Sequence, residues 1–252
     1  MELKKNEPGQ ISRRRFLVLT GGTICSIALG CRLPRTRIDH VAAVEFPESS
    51  CGKKSNKSGK ILVAYASRCG STVGVAETIG QTLCDRGATV DVRLAKNITD
   101  MSPYRAVVVG SAIRKGKWLP EAVKFVKTHQ EVLSQVPVAY FLVCMKIRNP
   151  TEKNYNKVLA YLEPVHRKIP QVQPVDIGLF AGALDYSCLS GLTRLIVKIK
   201  GEPEGDFRDW DAIRAWAAGL RLTNEKGQYP RQRLSSRISY LDASSSQLNI
   251  LE

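Results

Sequence analysis

A doubly wound α/β sheet is the fold this sequence predicts, and three observations predict it. Apolar runs of strand length recur between residues 60 and 183. Segments with helical spacing or short connections separate them. The first run passes through a glycine turn straight into a helix. Continuous apolar strands suit a parallel sheet covered on both faces, and strand alternating with helix is the pattern of crossover units.

In chain order, Ile61-Leu62-Val63-Ala64-Tyr65-Ala66 is the first strand. After Gly70, residues Val73, Val75, Ala76, Ile79, Leu83 and Cys84 recur at helical spacing until Arg86-Gly87, a helix stop. A strand over about 88–94 follows, then a connection at 95–103 and a strand at Tyr104–Gly110. Pro120 opens a helix to about Gln130, and Val136–Cys144 is the fourth strand. One helix is predicted from about Pro150 to Lys168, a fifth strand at Val175–Ala183, and a last helix near Asp209–Leu220 that packs Ile213, Trp216, Ala217 and Leu220. In such a sheet, ligands bind beyond the carboxyl ends of the strands.

The 252 residues suffice for one ordinary domain with tails. With 43% hydrophobic and 24% charged residues, collagen-like and wholly disordered classes are excluded. The net charge of +15 favours anionic partners, and residues 1–60 alone hold 12 basic and 5 acidic side chains. A nucleic-acid binder would carry basic residues and aromatics together on folded elements, and no such pattern is found. The seven cysteines and three histidines show no metal-ligand spacing, so no metal site is expected. An odd, sparse set of cysteines in a chain of this length does not read as a disulfide framework.

Residues 1–31 read as an export signal. Ser12-Arg13-Arg14-Arg15-Phe16-Leu17 resembles the twin-arginine motif, and an uncharged run follows from Phe16 to Cys31. That run is short for a bilayer span, which needs about 20 residues. Gly30-Cys31 resembles a lipoprotein processing site, although Ala28 and Leu29 depart from the usual pattern. Acylation, ordinary cleavage and an uncleaved anchor stay open. The expected location is the extracytoplasmic face of the plasma membrane, with the cytoplasmic face as the alternative. Residues 32–59 have linker composition, 60–220 form the domain, and 221–252 are polar and serine-rich, read as a flexible tail with a short element possible near Ile238–Leu241.

The first strand ends in Ala66-Ser67-Arg68-Cys69-Gly70-Ser71-Thr72. Hydroxyls, a glycine and the N–H groups of a helix N-terminus suit a phosphate monoester. A helix cap needs one hydroxyl, and three lie here beside Arg68.

This hydroxyl-x-x-Gly-hydroxyl-hydroxyl pattern resembles the first loop of the flavodoxin superfamily. Val107–Trp118, Phe180–Tyr186 and Leu195–Lys200 before Asp209-Trp210 resemble its menaquinone-dependent protoporphyrinogen IX dehydrogenase branch. The likeness covers about residues 60–220. It implies strand order 2-1-3-4-5 and FMN as cofactor. It places Ser67, Arg68, Cys69, Gly70, Ser71 and Thr72 at the FMN phosphate, and Ser111, Ala112, Ile113, Arg114, Gly116 and Trp118 along one side of the ring. Met145, Lys146 and Arg148 approach its other edge, with Lys146 or Arg148 supplying positive charge. Cys69 departs from the usual polar or small residue and makes oxidation sensitivity an expectation. Trp118 is read as packing or as stacking on the ring.

No Ser/His/Asp set or acidic dyad is found, so catalysis is assigned to the flavin and no side chain is named as catalytic. Leu189, Leu192, Ile196 and Ile199 recur at helical spacing beside Arg194, Lys198 and Lys200. This stretch reads either as a helix on the sheet edge or as a surface for anionic lipid. Three functions stay open: a membrane-associated dehydrogenase that passes electrons to menaquinone, an exported electron carrier without a substrate of its own, and a scaffold without FMN.

Overall fold

The computed structural model describes residues 48–52 and 59–222. The expected signal, most of the linker and the tail beyond Leu222 lie outside the described residues. The parallel core comprises β2 (Lys60–Ala66), β3 (Val90–Leu94), β4 (Tyr104–Arg114), β6 (Val138–Val143) and β7 (Asp176–Phe180), in the order β3-β2-β4-β6-β7. This is the expected 2-1-3-4-5 arrangement of a doubly wound sheet. β1 (Ser49–Cys51) adds an antiparallel edge to β3, and β5 (Lys117–Trp118) folds back on the end of β4. A separate ribbon pairs β8 (Ala183–Leu184) with β9 (Gly205–Asp206).

Strand alternation divides the core between two faces. Ile61, Val63 and Tyr65 of β2 face one cluster with Val75, Ile79, Ile213 and Trp216, which come from α1 (Ser71–Asp85) and α7 (Trp210–Gly219). Leu62, Ala64 and Ala66 face the other, built with α2 (Pro120–Thr128), α3 (Gln130–Leu133), α4 (Glu152–Leu159) and α5 (Glu163–Lys168). α1 forms because Val75, Ala76, Ile79 and Leu83 make one apolar stripe. Burying a side chain such as Ile79 is worth about 1.5–3 kcal/mol. Asp209 caps α7 by accepting from the Ala212 N–H at 2.9 Å.

The structure differs from the sequence expectation in three places. Residues 111–118 form a hairpin rather than a loop, turning at Lys115 (φ 51°) and Gly116 (φ 71°). Two adjacent residues with positive φ allow a tight turn that follows the strand twist. The helix expected over 150–168 breaks into α4, a 3-10 turn at Ala160–Leu162, and α5. Pro164 lacks the N–H a helix interior requires and instead occupies the first turn of a new helix. β1 lies in the segment read as linker and is held by the free edge of β3. The Arg93 side chain reinforces that pairing by donating to the Ser50 hydroxyl at 2.8 Å.

Behind β1, Asp91 is buried in β3 and accepts from Lys60 Nζ at 3.1 Å and from the Tyr104 hydroxyl at 3.0 Å. Burial pushes its carboxyl up, but hydrogen bonds from Ser50, Lys60 and Tyr104 outweigh that and hold it below its ordinary value. At the other end of the sheet, Gly110 of β4 lies opposite Phe141 of β6. A Cβ at 110 would fall 1.8 Å from Phe141 Cζ, so glycine is what allows the ring to cover the strand. Phe141 continues through Phe180 to Trp216, whose indole N–H donates to Asp176 at 3.2 Å.

Candidate functional site

The carboxyl ends of β2, β4, β6 and β7 bring together four segments: 67–72, 111–118, 145–148 and 181–185. The first is the tightest. Gly70 takes a left-handed conformation (φ 81°, ψ −18°) immediately before α1, and its N–H donates to Ser67 Oγ at 3.1 Å. A Cβ at 70 would meet nothing within 4 Å, so the turn faces open space. Glycine adopts that φ without the penalty other residues meet.

The three hydroxyls do different work. Ser67 Oγ closes the turn from inside. Ser71 Oγ accepts the Ala183 N–H at 2.7 Å, tying the start of α1 to the segment after β7. Thr72 is fully buried, and its Oγ1 has no hydrogen-bond partner in the protein. A buried hydroxyl without a partner costs about 1–3 kcal/mol, so a ligand oxygen at the first turn would repay it. Helix geometry leaves the first N–H groups without intrahelical acceptors, and the first turn of α1 carries no acidic residue to repel an anion.

Arginines surround the turn, and carboxylates hold two of them. Arg68 pairs with Glu121 of α2 at 2.7 Å, so it bridges to the next helix rather than curling over the loop. Arg208 donates to the Ser71 carbonyl at 3.3 Å, stacks 4.3 Å over Trp210 and pairs with Asp206 at 2.6 Å. Arg114 lies at the end of β4, near enough to Cys69 for its charge to favour the thiolate. Cys69 itself is pushed up to about 11, first by burial and then by Cys188.

The remaining predicted residues separate into facing and supporting roles. Ser111 is fully buried, and its hydroxyl accepts the Leu119 N–H at 2.9 Å, so it pins the hairpin. Trp118 is 5% exposed and packs edge-on against Tyr140 at 5.1 Å, which makes it core packing. Ala112 and Ile113 are half-buried within the hairpin and pack on the core, while Gly116 sits against Tyr161. Met145 begins the 3-10 turn Met145–Arg148, with its sulfur 3.9 Å from where a Cβ on Gly182 would lie. Lys146 is exposed. Arg148 is drawn away, pairing with Glu202 at 3.4 Å and lying 5.2 Å over Phe207.

Sequence reasoning missed Ala183 and Arg208 as partners of the first loop. Ala183 contributes a backbone N–H, which no residue type announces. Arg208 stands 137 positions from Ser71, and only the fold brings them together.

A flavodoxin domain model matches residues 62–210, more than half of the chain. The chain belongs to the flavodoxin domain family. Protoporphyrinogen IX dehydrogenase (quinone) of Leishmania major is 28% identical over 180 residues, covering 65% of this chain and 75% of that protein. The enzyme of the same name from Escherichia coli K12 is 25% identical over 178 residues, covering 66% of this chain and 97% of that one. Among solved structures, two-electron reduced Megasphaera elsdenii flavodoxin aligns at 13% identity with a TM-score of 0.41, covering 64% of this chain and 99% of that one.

Family membership supports FMN as the cofactor, and this flavodoxin domain fits the phosphate: the turn is open at Gly70, and the Thr72 hydroxyl is buried without a partner. Thr72→Val is therefore expected to leave stability unchanged or slightly raised while weakening FMN binding about tenfold, near 1.4 kcal/mol. Ser71→Ala, by contrast, should lower stability because the Ala183 N–H loses its acceptor. Flavin fluorescence titration beside urea unfolding separates the two. Unchanged FMN affinity in Thr72→Val refutes the assignment of that hydroxyl.

Proposed function

We propose that this chain is an FMN-dependent oxidoreductase working at a membrane surface, which oxidises a reduced organic substrate and passes the electrons to menaquinone. The observation that carries the reading is the first loop, where an open left-handed turn and an orphan buried hydroxyl meet at the start of α1. The two dehydrogenase relatives make protoporphyrinogen IX the substrate to test first.

FMN, when bound, supplies the electron transfer between donor and acceptor. The protein's part is to bind and orient. Gly70 and the first N–H groups of α1 receive the phosphate, and Thr72 donates its hydroxyl to it. The Ser71 to Ala183 contact and the Ser111 pin keep the two flanking segments at fixed height. Arg114 and Lys146 place positive charge on opposite sides of the site, whereas Glu202 already engages Arg148.

α6 (Gly191–Ile199) supports work at a surface. Leu192 and Ile199 are 72% and 76% exposed, and Leu195 and Ile196 are exposed between them. Lys198 and Lys200 are also exposed. Among the described residues no helix is long and apolar enough to cross a membrane. α6 therefore suits lying in the interface, its apolar residues among acyl chains and its lysines at anionic headgroups. The reading places the domain outside the cytoplasmic membrane, delivered by the signal around Arg13 and Arg14.

Three tests follow from these parts. Under anaerobic conditions, protoporphyrinogen IX is expected to bleach the bound flavin, and a soluble menaquinone analogue to restore its spectrum. A flavin that ignores the porphyrinogen but exchanges electrons with small donors points instead to a carrier. With the unacylated chain, binding to vesicles containing anionic lipid should fall at least tenfold in Leu192→Ser/Ile199→Ser, and undiminished co-sedimentation removes α6 from the membrane account. Arg13→Lys combined with Arg14→Lys is expected to retain the protein in the cytoplasmic fraction, and normal export of that variant overturns the signal.

A further inference from the structure

Four of the five described cysteines meet in pairs that the sequence separates widely. Cys51 sits on β1 opposite Val90 of β3, and its sulfur points across the edge of the sheet to the Gly80 carbonyl of α1 at 3.9 Å. Cys84 lies one turn beyond Gly80, so its side chain projects from the same face of the helix. α1 approaches β3 closely there, since a Cβ on Gly80 would fall 2.5 Å from Val92 Cγ2. Cys51 and Cys84 pack on the same apolar cluster, and Cys84 lies near enough to raise the Cys51 thiol.

The second pair spans the functional site. The Cys69 thiol donates to the Cys188 carbonyl at 3.5 Å, and the Cys188 side chain lies near enough to raise the Cys69 thiol. Cys188 closes the 3-10 turn Tyr186–Cys188, which Asp185 caps by accepting the Ser187 N–H at 2.7 Å. All four cysteines are half-buried. The fifth, Cys144, is buried with Lys146 beside its thiol.

We propose that Cys51 with Cys84, and Cys69 with Cys188, are disulfide-forming pairs. In this arrangement the first bond clamps the edge strand to α1, and the second fastens the phosphate loop to the turn that precedes α6.

The oxidant is a low-molecular-weight disulfide. A protein thiolate attacks it, forms a mixed disulfide and releases one small thiol. The neighbouring protein thiolate then displaces the second small thiol as the protein S–S bond forms. Two protein thiols are oxidised, their two protons are released or taken up by the departing thiolates, and one small disulfide becomes two small thiols. Burial, then the neighbouring thiol, raises Cys51 to about 12 and Cys69 to about 11, so thiolate is scarce at neutral pH. Exchange should accelerate as pH rises and the thiolate fraction grows.

The proposal is independent of the flavin reading, because its test scores sulfur alone. The full reduced chain is treated with oxidised glutathione at pH 8, remaining thiols are alkylated after denaturation, and peptides are mapped without reduction. The expected products join Cys51 to Cys84 and Cys69 to Cys188, with Cys144 alkylated. In Cys188→Ser the second link disappears and the first persists. The thermal midpoint of the crosslinked chain should exceed that of the reduced chain by roughly 5 °C or more. All four thiols still alkylated, or other pairings predominating, overturns the proposal.

Discussion

The left-handed backbone at Gly70 lets the chain leave a strand and start a helix within four residues. Everything proposed for the site depends on that turn. It places the N-terminus of α1 at the carboxyl edge of the sheet and directs the Ser71 hydroxyl to the segment after β7. It also leaves the Thr72 hydroxyl enclosed without a partner. A residue other than glycine would strain the turn, and a looser turn would move the start of α1 away from Ala183. The proposed phosphate contact and the fixed spacing of the neighbouring segments therefore share one origin.

Electrostatics refines that geometry without creating it. Arg68 and Arg208 are both close to the turn, yet Glu121 and Asp206 engage them. Such half-exposed pairs are worth little by themselves, but they fix where the guanidinium groups stand. On the proposed reading the anion site is made mainly from backbone and hydroxyl groups, rimmed by cations already held in position. This suits a phosphate bound in a set orientation better than one attracted diffusely by the overall charge of the chain.

The fold was legible because its signals are local. Continuous apolar runs announced the parallel strands, and Val75, Ile79 and Leu83 announced α1. The turn from β2 into α1 was legible for the same reason, since its glycine and hydroxyls are contiguous. What escaped depends on distant partners. β1 is too short to show a period and exists because β3 has a free edge. Trp118 and Ser111 belong to a site-lining stretch by sequence, but the hairpin turns Trp118 toward Tyr140 and uses Ser111 as its pin. Arg208 and Cys188 become neighbours of the loop only after the chain has wound back to it.

The central claim is that the 67–72 turn recognises a phosphate monoester carried by a flavin. Comparing FMN with riboflavin, which has the same ring and ribityl chain but no phosphate, tests this most directly. Titration of the flavin-free protein by fluorescence quenching should show FMN binding at least about a hundredfold tighter, a difference near 2.7 kcal/mol. Equal affinities would contradict the account, because the turn would then contribute nothing to recognition.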